Sequence, residues 1–359
     1  MVLLIFNSIK EKIKMNNKIT YFLTALFLGT VLFSEVFAGG ARRNGTAGAQ
    51  ELLIPSSASG LALNGANISS ITGLDAVFYN PAGFGGSKTS TEAMFSNLNY
   101  IADISMSYAA VGVNFSELGS LAFSLRTLNF GDIPITTVEN PYGTGSTYSP
   151  SFVTLGLTYA NSLTDRIRVG VNLKLVSEKI VRTSATGFAL DAGIQYQGLA
   201  GLDGLSFGIT LKNLGPQMKF DGPDLIRSAT EIEAKRGSNY YMLDAASFEL
   251  PSQLELGLSY AYSISEQYKM VVASTFQNNN FANDEYKLGG EFVYDDMLFI
   301  RGGYSYMGEV KDNEYQQFFG VTAGLGVKVN IGLEMIFDYA YRAAKFSESN
   351  HLIGVKFNF

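Results

Sequence analysis

Long runs in which apolar and polar residues alternate constrain the fold of this chain more than any other feature. In residues 166–175 every second position is Ile, Val or Leu, and the positions between them are Arg, Gly, Asn or Lys. The same alternation recurs in residues 205–212, 254–262 and 321–329. Because successive side chains of a β-strand point to opposite faces of the sheet, each run predicts a strand with one apolar and one polar side.

The length of these runs favours a membrane barrel over a soluble sandwich, although alternation alone fits both. Many runs extend to about ten residues, which suits a tilted strand crossing a bilayer better than the usual strand of about five or six. Their apolar faces often end in Tyr or Phe, as the aromatic girdles of membrane barrels do. We therefore predict an all-β fold, a transmembrane antiparallel β-barrel, whose closure leaves no unpaired strand edge in lipid.

About fourteen strands are predicted, an even number that places both ends of a bacterial barrel on the periplasmic side. Their approximate ranges are 91–98, 102–115, 119–130, 151–161, 165–180, 186–196, 204–214, 253–263, 267–277, 285–294, 297–306, 315–329, 332–342 and 350–359. The two long connections, 131–150 and 215–252, follow odd-numbered strands and are predicted to be outer loops. A break in the alternation at residues 109–111 predicts a β-bulge in the second strand.

The two faces of the predicted strands are expected to meet different surroundings. Leu155, Val171 and Phe207 lie on apolar faces and are predicted to touch lipid. Charges of both signs lie on polar faces and are predicted to line the lumen: Arg126, Arg166, Arg168, Lys174, Asp191, Lys212, Glu255, Glu291, Arg301, Lys328, Glu334 and Asp338. Because such charges can pair with each other, the main expectation is a structural network, with a selective polar conduit as the alternative.

The first 38 residues have the three parts of a secretory signal peptide. Four lysines, Lys10, Lys12, Lys14 and Lys18, precede an apolar segment over residues 19–33, and residues 36–38 (Val-Phe-Ala) have the small side chains of a cleavage site. Residues 1–38 are therefore predicted to be a signal peptide, with a membrane-spanning helix as the alternative. Export of this kind, followed by barrel formation, places the protein in the cell outer membrane.

Residues 39–90 differ from the rest of the mature chain. They are rich in Gly, Ala, Ser and Asn and show only weak alternation. A barrel of fourteen strands is wide enough to need filling. We therefore predict that residues 39–90 form an N-terminal hatch, a plug within the lumen, and that residues 91–359 form the barrel; a segment hanging in the periplasm is the alternative.

The C-terminal residues have the pattern of an assembly signal. A Gly at position 354 is followed by aromatic residues at alternate positions, Phe357 and the final residue, Phe359. Gly354, Phe357 and Phe359 are predicted to be the signal read by the barrel assembly machinery, and an ordinary final strand is the alternative.

The composition gives no basis for an enzyme, a cofactor or a metal site. The chain has no Cys and one His, His351, so neither thiolate ligands nor a nucleophile with a neighbouring His can be proposed. The adjacent acids Asp295 and Asp296 are interpreted as turn residues. A formal net charge of −6 argues against nucleic acid as a partner. The predicted partners are instead outer-membrane lipid and the barrel assembly machinery.

Four motifs resemble those of the PorV/PorQ family, a branch of the FadL-like outer-membrane barrels. They are residues 45–50 (Gly-Thr-Ala-Gly-Ala-Gln), 75–83 (Asp-Ala-Val-Phe-Tyr-Asn-Pro-Ala-Gly), 212–216 (Lys-Asn-Leu-Gly-Pro) and 250–254 (Leu-Pro-Ser-Gln-Leu). Within the second, Asn80, Pro81, Ala82 and Gly83 resemble the motif that closes the hatch across the superfamily. The resemblance implies a fourteen-stranded barrel with a hatch.

The resemblance also implies a function, for which three readings are open. A PorV-like protein would bind secreted cargo through the C-terminal domains of the cargo and shuttle it from the translocon of type IX secretion. The mixed charges and aromatic residues of loop 215–252 suit such protein recognition, although the loop could also be a lid. A FadL-like channel would instead admit hydrophobic small molecules, and it requires an apolar pocket near the hatch. The third reading is a barrel with a purely structural role.

Overall fold

Fourteen antiparallel strands close into a barrel in the computed structural model, which describes residues 45–229, 238–307 and 317–359. The strands are β1 (Thr91–Asn99), β2 (Ser105–Asn114), β3 (Ser120–Asn129), β4 (Ser151–Ser162), β5 (Ile167–Ile180), β6 (Thr183–Gln197), β7 (Leu205–Leu214), β8 (Gln253–Ser263), β9 (Tyr268–Asn279), β10 (Glu285–Tyr294), β11 (Leu298–Met307), β12 (Phe319–Asn330), β13 (Glu334–Ala344) and β14 (Asn350–Asn358). Each strand pairs with its neighbours in sequence, and β14 pairs with β1. The predicted all-β barrel of fourteen strands is confirmed.

The barrel is apolar outside and largely polar inside, the reverse of a soluble protein. On β5, Val171 and Leu173 are 43% and 50% exposed, whereas Asn172 and Lys174 between them are buried. Leu155 and Phe207 also lie on outward faces of their strands and are half-buried between neighbours. An apolar surface that surrounds a closed sheet needs an apolar solvent, so this pattern favours lipid contact. In the described residues, no helix is long and apolar enough to cross a membrane.

The predicted bulge at residues 109–111 is wrong. β2 pairs with β1 and β3 in unbroken register, with Ala109 opposite both Phe95 and Leu125. The alternation fails there because Ala110 points into a part of the lumen that is itself apolar, where the hatch packs against the wall. The described ladders shift register elsewhere, between β6 and β7 at Leu190/Ala192 and between β12 and β13 at Phe319/Thr322.

The two ends of the barrel differ in their connections. We define the outer end as the one that carries the long loops 130–150 and 215–252, and the inner end as the one where β1 begins and β14 ends. Each long loop folds partly into short two-stranded pairs. These pairs are Ile133–Pro134 with Thr147–Tyr148, Met218–Lys219 with Ser247–Phe248, and Ile226–Ala229 with Asn239–Met242.

The described part of the hatch lies inside the barrel, as predicted. It contains two short helices, α1 (Ala58–Ala62) and α2 (Ala76–Tyr79), and three 3-10 turns, Gln50–Leu53, Gly73–Asp75 and Pro81–Gly86. Its large apolar side chains are fully buried: Leu52, Leu61, Ile68, Leu74 and Phe84. Residues 1–44, which include the predicted signal peptide and the start of the predicted hatch, lie outside the described residues.

Candidate functional site

The wall of the barrel holds the hatch by its backbone. Side chains of five strands donate hydrogen bonds to hatch carbonyl oxygens. The pairs are Ser96 to Ser56 (2.6 Å), Arg126 to Glu51 (2.9 Å), Gln195 to Ile68 and Ile71 (3.0 and 2.9 Å), Thr275 to Ala66 (2.9 Å) and Thr322 to Ala62 (2.9 Å). Irregular backbone inside a membrane barrel must find partners away from water, and these bonds supply them.

Glycines on the lumen face of the wall let the hatch approach closely. A Cβ added at any of several wall glycines would lie closer than 3.0 Å to a hatch atom: Gly170 to Pro81, Gly208 to Ser69, Gly257 to Ile68, Gly303 to Leu63, and Gly324 to Ala62. None of these glycines has a positive φ, so space rather than backbone conformation requires them. We call these five positions the glycine belt. The belt extends from β5 to β12, and at each of its five positions there is no room for a side chain between the hatch and the wall.

The predicted hatch motif lies against the glycine belt. The Asn80 carbonyl oxygen Oδ1 accepts a hydrogen bond from Ala82 N at 3.2 Å and so caps the 3-10 turn that Pro81 begins. The Asn80 amide Nδ2 donates to Ile68 O (2.9 Å) in the hatch and to Ile194 O (3.1 Å) in β6. The Asn80 side chain therefore joins two parts of the hatch to the wall.

Gly83, the last residue of this motif, packs tightly beneath it. A Cβ on Gly83 would lie closer than 3.0 Å to both Ile71 O and Ala76 Cβ. Asn80, Pro81, Ala82 and Gly83 are all buried. The geometry thus gives each member of the motif a specific contact, and the functional role predicted for the motif stays a prediction.

Most charges predicted to line the lumen are paired there. Lys174 Nζ lies 2.6 Å from Asp191, Lys212 lies 3.6 Å from Glu255, and Arg301 lies 2.5 Å from both Glu291 and Asp338. Lys328 pairs with Glu334. Arg168 is half-buried beside Gly86 of the hatch, but Arg166 is exposed in the turn before β5, so its predicted place in the lumen is wrong. β4 ends at Ser162 and β5 begins at Ile167, so Arg166 belongs to the turn between them, and its side chain is not held by the barrel wall.

Two hatch carboxyl groups have shifted acidity. Burial alone would raise the pKa of Asp75, but the charge and hydrogen bond of Lys356 on β14 lower it below its ordinary value. Burial and the negative charge of nearby Glu178 raise the pKa of Glu51 to about 8. Asp75 therefore ties the hatch to the wall as an ion, whereas Glu51 is largely protonated at neutral pH.

An apolar cluster occupies the lumen at the outer end of β1 to β4. Leu98, Met106 and Leu128 are buried on the lumen faces of β1, β2 and β3, in contact with the hatch cluster that includes Ile54. Half-buried aromatic and aliphatic side chains pack on them: Tyr100, Ile104, Phe130 and Phe152. The rings of Phe130 and Phe152 meet edge to face, with centroids 4.8 Å apart. We call these seven residues, together with Ile54 of the hatch, the outer-mouth cluster.

The inner end has a different lining. An open cavity of about 470 Å³ lies between the end of the hatch and two turns of the barrel. Its lining is mostly polar and includes Asn114, Glu117, Ser120 and Asn161. An apolar molecule would find favourable contacts at the outer end of the lumen and few at the inner end.

The residues of the predicted C-terminal signal lie on two faces of β14. Gly354 points into the lumen and pairs with Ser96 of β1. Phe357 lies on the outward face, and Phe359, one residue beyond the end of the strand, is exposed. The strand completes the barrel against β1 and β13. This placement neither tests nor excludes recognition by the assembly machinery, which stays a prediction.

Comparison with known proteins identifies the fold. No family model matches the chain, and no curated protein matches it. Among solved structures, the CymD monoaromatic hydrocarbon channel is 13% identical with a TM-score of 0.55, covering 86% of this chain and 98% of its own. The toluene transporter TodX of Pseudomonas putida is 13% identical with a TM-score of 0.52, covering 83% and 98%. A FadL homologue of Pseudomonas aeruginosa is 11% identical with a TM-score of 0.50, covering 85% and 98%.

At these identities the likeness establishes the fold alone, which this chain shares with these three proteins. Membership of the FadL-like superfamily stays a prediction. The narrower PorV/PorQ reading has no counterpart among these three structures and stays a prediction. Neither the glycine belt nor Gln195 was singled out from the sequence. Glycines on the polar face of an alternating run, such as Gly170, Gly208 and Gly257, are the signal that could have found them.

Proposed function

We propose that this protein is an outer-membrane channel that admits small hydrophobic molecules through the outer end of its barrel. The observation that carries the proposal is the outer-mouth cluster, which places apolar side chains inside the lumen and beside the hatch. A lumen lined only by charge and glycine would oppose this function. The exposed apolar face of the barrel and the fold shared with hydrocarbon channels support the same conclusion.

The composition of the outer-mouth cluster favours compact apolar molecules. Phe130 and Phe152 offer ring edges and faces, and Met106 offers a flexible thioether that adapts to irregular shapes. Each Å² of apolar ligand surface removed from water contributes about 25 cal/mol. A molecule with one aromatic ring would gain from these contacts without needing a polar partner.

The hatch sets a condition on the transport step. It fills the lumen, and its contacts with the wall run from β1 to β14. We therefore propose a gated channel rather than a permanently open porin. Passage requires part of the hatch to move away from the wall, and the outer-mouth cluster is where the ligand first meets the hatch.

Uptake of radiolabelled toluene by bacterial cells tests the proposal. Cells that express the protein should take up the label faster than cells that carry an empty vector. Leu128→Arg should remove the gain because it places a charge in the outer-mouth cluster, whereas the matched Leu128→Met should keep it. Heat-modifiable gel mobility of the outer-membrane fraction verifies that each variant forms the barrel. Equal uptake with and without the folded wild-type protein would contradict the proposal.

Placement in the outer membrane is part of this proposal, as are export by the signal peptide and insertion by the barrel assembly machinery. Fractionation of cells that express the full chain tests all three together. The protein should appear in the outer-membrane fraction, shortened by residues 1–38. Recovery of the folded protein in a soluble fraction without detergent would overturn the lipid contact on which the proposed function depends.

A cargo-shuttling role in type IX secretion stays a prediction from the sequence motifs. The feature that would serve it is the exposed surface of the outer loops, where Tyr142 and Tyr240 are almost fully accessible. Deletion of the gene in its own organism, followed by analysis of secreted proteins, tests it. Unchanged export of cargo that carries the secretion C-terminal domain would end this reading, with the channel proposal unaffected.

A further inference from the structure

One arginine in the lumen lacks the carboxylate partner that Lys174, Lys212 and Arg301 have. Arg126 on β3 is only 6% exposed. Its Nη1 donates to the neutral Glu51 carbonyl oxygen at 2.9 Å, and its Nε has no hydrogen-bond partner. Among the described residues, no carboxylate oxygen lies within 4.0 Å of its guanidinium, whereas Lys174 and Arg301 have theirs at 2.6 and 2.5 Å.

Two other features leave the Arg126 charge poorly compensated. The hatch carboxyl group whose charge acts on Arg126, that of Glu51, has its pKa raised to about 8 by burial and by Glu178, so it is largely neutral at pH 7. The Phe78 and Tyr108 rings lie 5.0 and 6.0 Å from the guanidinium and contribute only the weaker attraction between a cation and a ring. A buried charge without an ionic partner is strongly unfavourable.

Arg342 on β13 shows how a buried arginine can be satisfied without a carboxylate. Its Nε and Nη2 both donate to Asn350 Oδ1, at 3.0 and 2.7 Å, and its guanidinium lies 3.6 Å from the centre of the Phe319 ring. Arg126 has one such bond instead of two, and its Nε remains without an acceptor. Arg342 therefore provides an internal control for the experiments below.

A small cavity adjoins Arg126. Its volume is about 20 Å³, and its polar lining comes from Tyr108, Ser124, Arg126, Thr154, Asn172 and Lys174. Tyr108, Arg126 and Thr154 are direct neighbours across β2, β3 and β4, which places their side chains in one row on the lumen face. The hatch closes the cavity from the other side with Val77 and Phe78.

Three of the polar groups that line this cavity can donate a hydrogen bond but have no acceptor in the described part of the chain. The Tyr108 hydroxyl, Arg126 Nε and Thr154 Oγ1 are all buried and have no hydrogen-bond partner among the described residues. Asn172 Oδ1 is also unpartnered, but Asn172 Nδ2 already donates to Asp191 at 3.5 Å, so this residue adds no donor to the cavity. The two hydroxyls and the guanidinium together can donate three hydrogen bonds to one central acceptor.

We propose that this cavity is a binding site for a small inorganic anion of halide size, which bonds to Arg126, Tyr108 and Thr154 and closes the contact between the wall and the hatch. A cavity needs about 10–15 Å³ to hold one water-sized species, so 20 Å³ admits a chloride and excludes larger organic acids. A water molecule would satisfy the hydrogen bonds but not the charge. The site is separate from the outer-mouth cluster and does not depend on the proposed channel function.

Crystals of the full chain soaked in bromide test the site directly. Bromide scatters anomalously, and a peak is expected within hydrogen-bond distance of Arg126 Nε and Thr154 Oγ1 in the wild-type protein. The peak should disappear in Arg126→Gln and persist in Arg342→Gln. A wild-type map with only water at this position, or with no density there, overturns the proposal.

Thermal unfolding in detergent gives a second, independent measurement. Exchange of gluconate for chloride at constant ionic strength should raise the melting temperature of the wild type in a saturable way. In Thr154→Val the apparent halide affinity should fall about tenfold or more, since a hydrogen bond to a charged group is lost. The matched control is Thr158→Val, on the same face of β4, whose buried hydroxyl also lacks a partner but does not line the cavity. Equal halide dependence in Thr154→Val, Arg126→Gln and the wild type would refute the site.

Discussion

The two sides of the lumen hold the hatch by different means. Along β5 to β12 the glycine belt brings the hatch directly against wall backbone, and wall hydroxyls such as those of Thr275 and Thr322 donate to hatch carbonyl oxygens. Along β1 to β4 the hatch instead meets side chains, and Leu74 and Phe84 pack in one cluster with Leu98 and Met106. The difference indicates that the belt side fixes the position of the hatch. The apolar side instead offers side-chain contacts that an apolar ligand could replace.

This contrast bears on how a ligand could pass. Backbone contacts at glycines leave no volume that a ligand could take over, and separating them also exposes carbonyl groups that must find new partners. Contacts between apolar side chains can be replaced by contacts with an apolar ligand at little net cost. We therefore expect hatch movement to begin along β1 to β4, where the outer-mouth cluster lies.

The largest effect is expected on the apolar side. Leu98→Ala removes a fully buried side chain and should lower the free energy of unfolding by about 2–5 kcal/mol, the range for such cavities in a packed core. Urea titration of the protein in detergent measures it. Val138→Ala, in the exposed outer loop 130–150, should change stability by less than about 0.5 kcal/mol. Equal losses would show that the lumen at Leu98 is not packed.

A somewhat smaller effect is expected at the glycine belt. Gly170→Ala forces a methyl group against the Pro81 backbone and should destabilise the protein by about 1–3 kcal/mol, as overpacking does. Hydrogen exchange of the hatch amides should increase in the same variant. Gly290→Ala is the matched control, because no atom lies within 4 Å of the added Cβ. If the two variants behave alike, the belt does not fix the hatch.

The pH dependence of stability provides a third comparison, at Glu51. The folded-state pKa of Glu51 is about 8, above its ordinary value of 4.5, so its contribution to stability is complete below pH 4.5 and is lost as the pH rises to 8 and beyond. The groups that act on it are Glu178 and Arg126 of the wall. Glu51→Gln stays neutral and should therefore exceed the wild type in stability at pH 9, but not at pH 5.

The size of this pH effect is on the order of 1 kcal/mol or more, because each unit of pKa difference is worth about 1.4 kcal/mol. Thermal unfolding at a series of pH values measures it, and Glu139→Gln in the exposed outer loop is the control. A constant difference between Glu51→Gln and the wild type from pH 5 to pH 9 would show that Glu51 ionises normally in the folded protein.

The sequence predicts the barrel far better than the docking of the hatch, and the reason is physical. Strands such as β7 and β8 face lipid on one side and a polar lumen on the other, so residues 204–214 and 253–263 alternate clearly and match Leu205–Leu214 and Gln253–Ser263. The alternation fails at residues 109–111 because the hatch makes the lumen apolar there. The register shift at Leu190/Ala192 depends on contacts between strands, which no local pattern reveals.

The candidate site was predicted in its hatch motif but not in its wall partners. Asn80 and Pro81 have recognisable roles as a cap and a helix start, which a sequence pattern carries. The partners of Asn80, Ile68 O and Ile194 O, are backbone atoms that any residue could provide. Likewise, the charge of Arg126 was assigned to the lumen, but its lack of a carboxylate partner follows only from the positions of its neighbours in space.

The smallest expected effect concerns a single hydroxyl donor on the belt side. Thr322→Val removes the hydrogen bond to Ala62 O (2.9 Å) and leaves a buried carbonyl without its wall donor, which should cost about 0.5–1.5 kcal/mol. Thr158→Val makes the same chemical change at a buried hydroxyl that has no partner among the described residues, so it should be neutral or slightly stabilising. Urea titration separates the two. If Thr322→Val is also neutral, hydroxyl bonds do not hold the hatch, and the glycine contacts alone must distinguish the belt side from the apolar side.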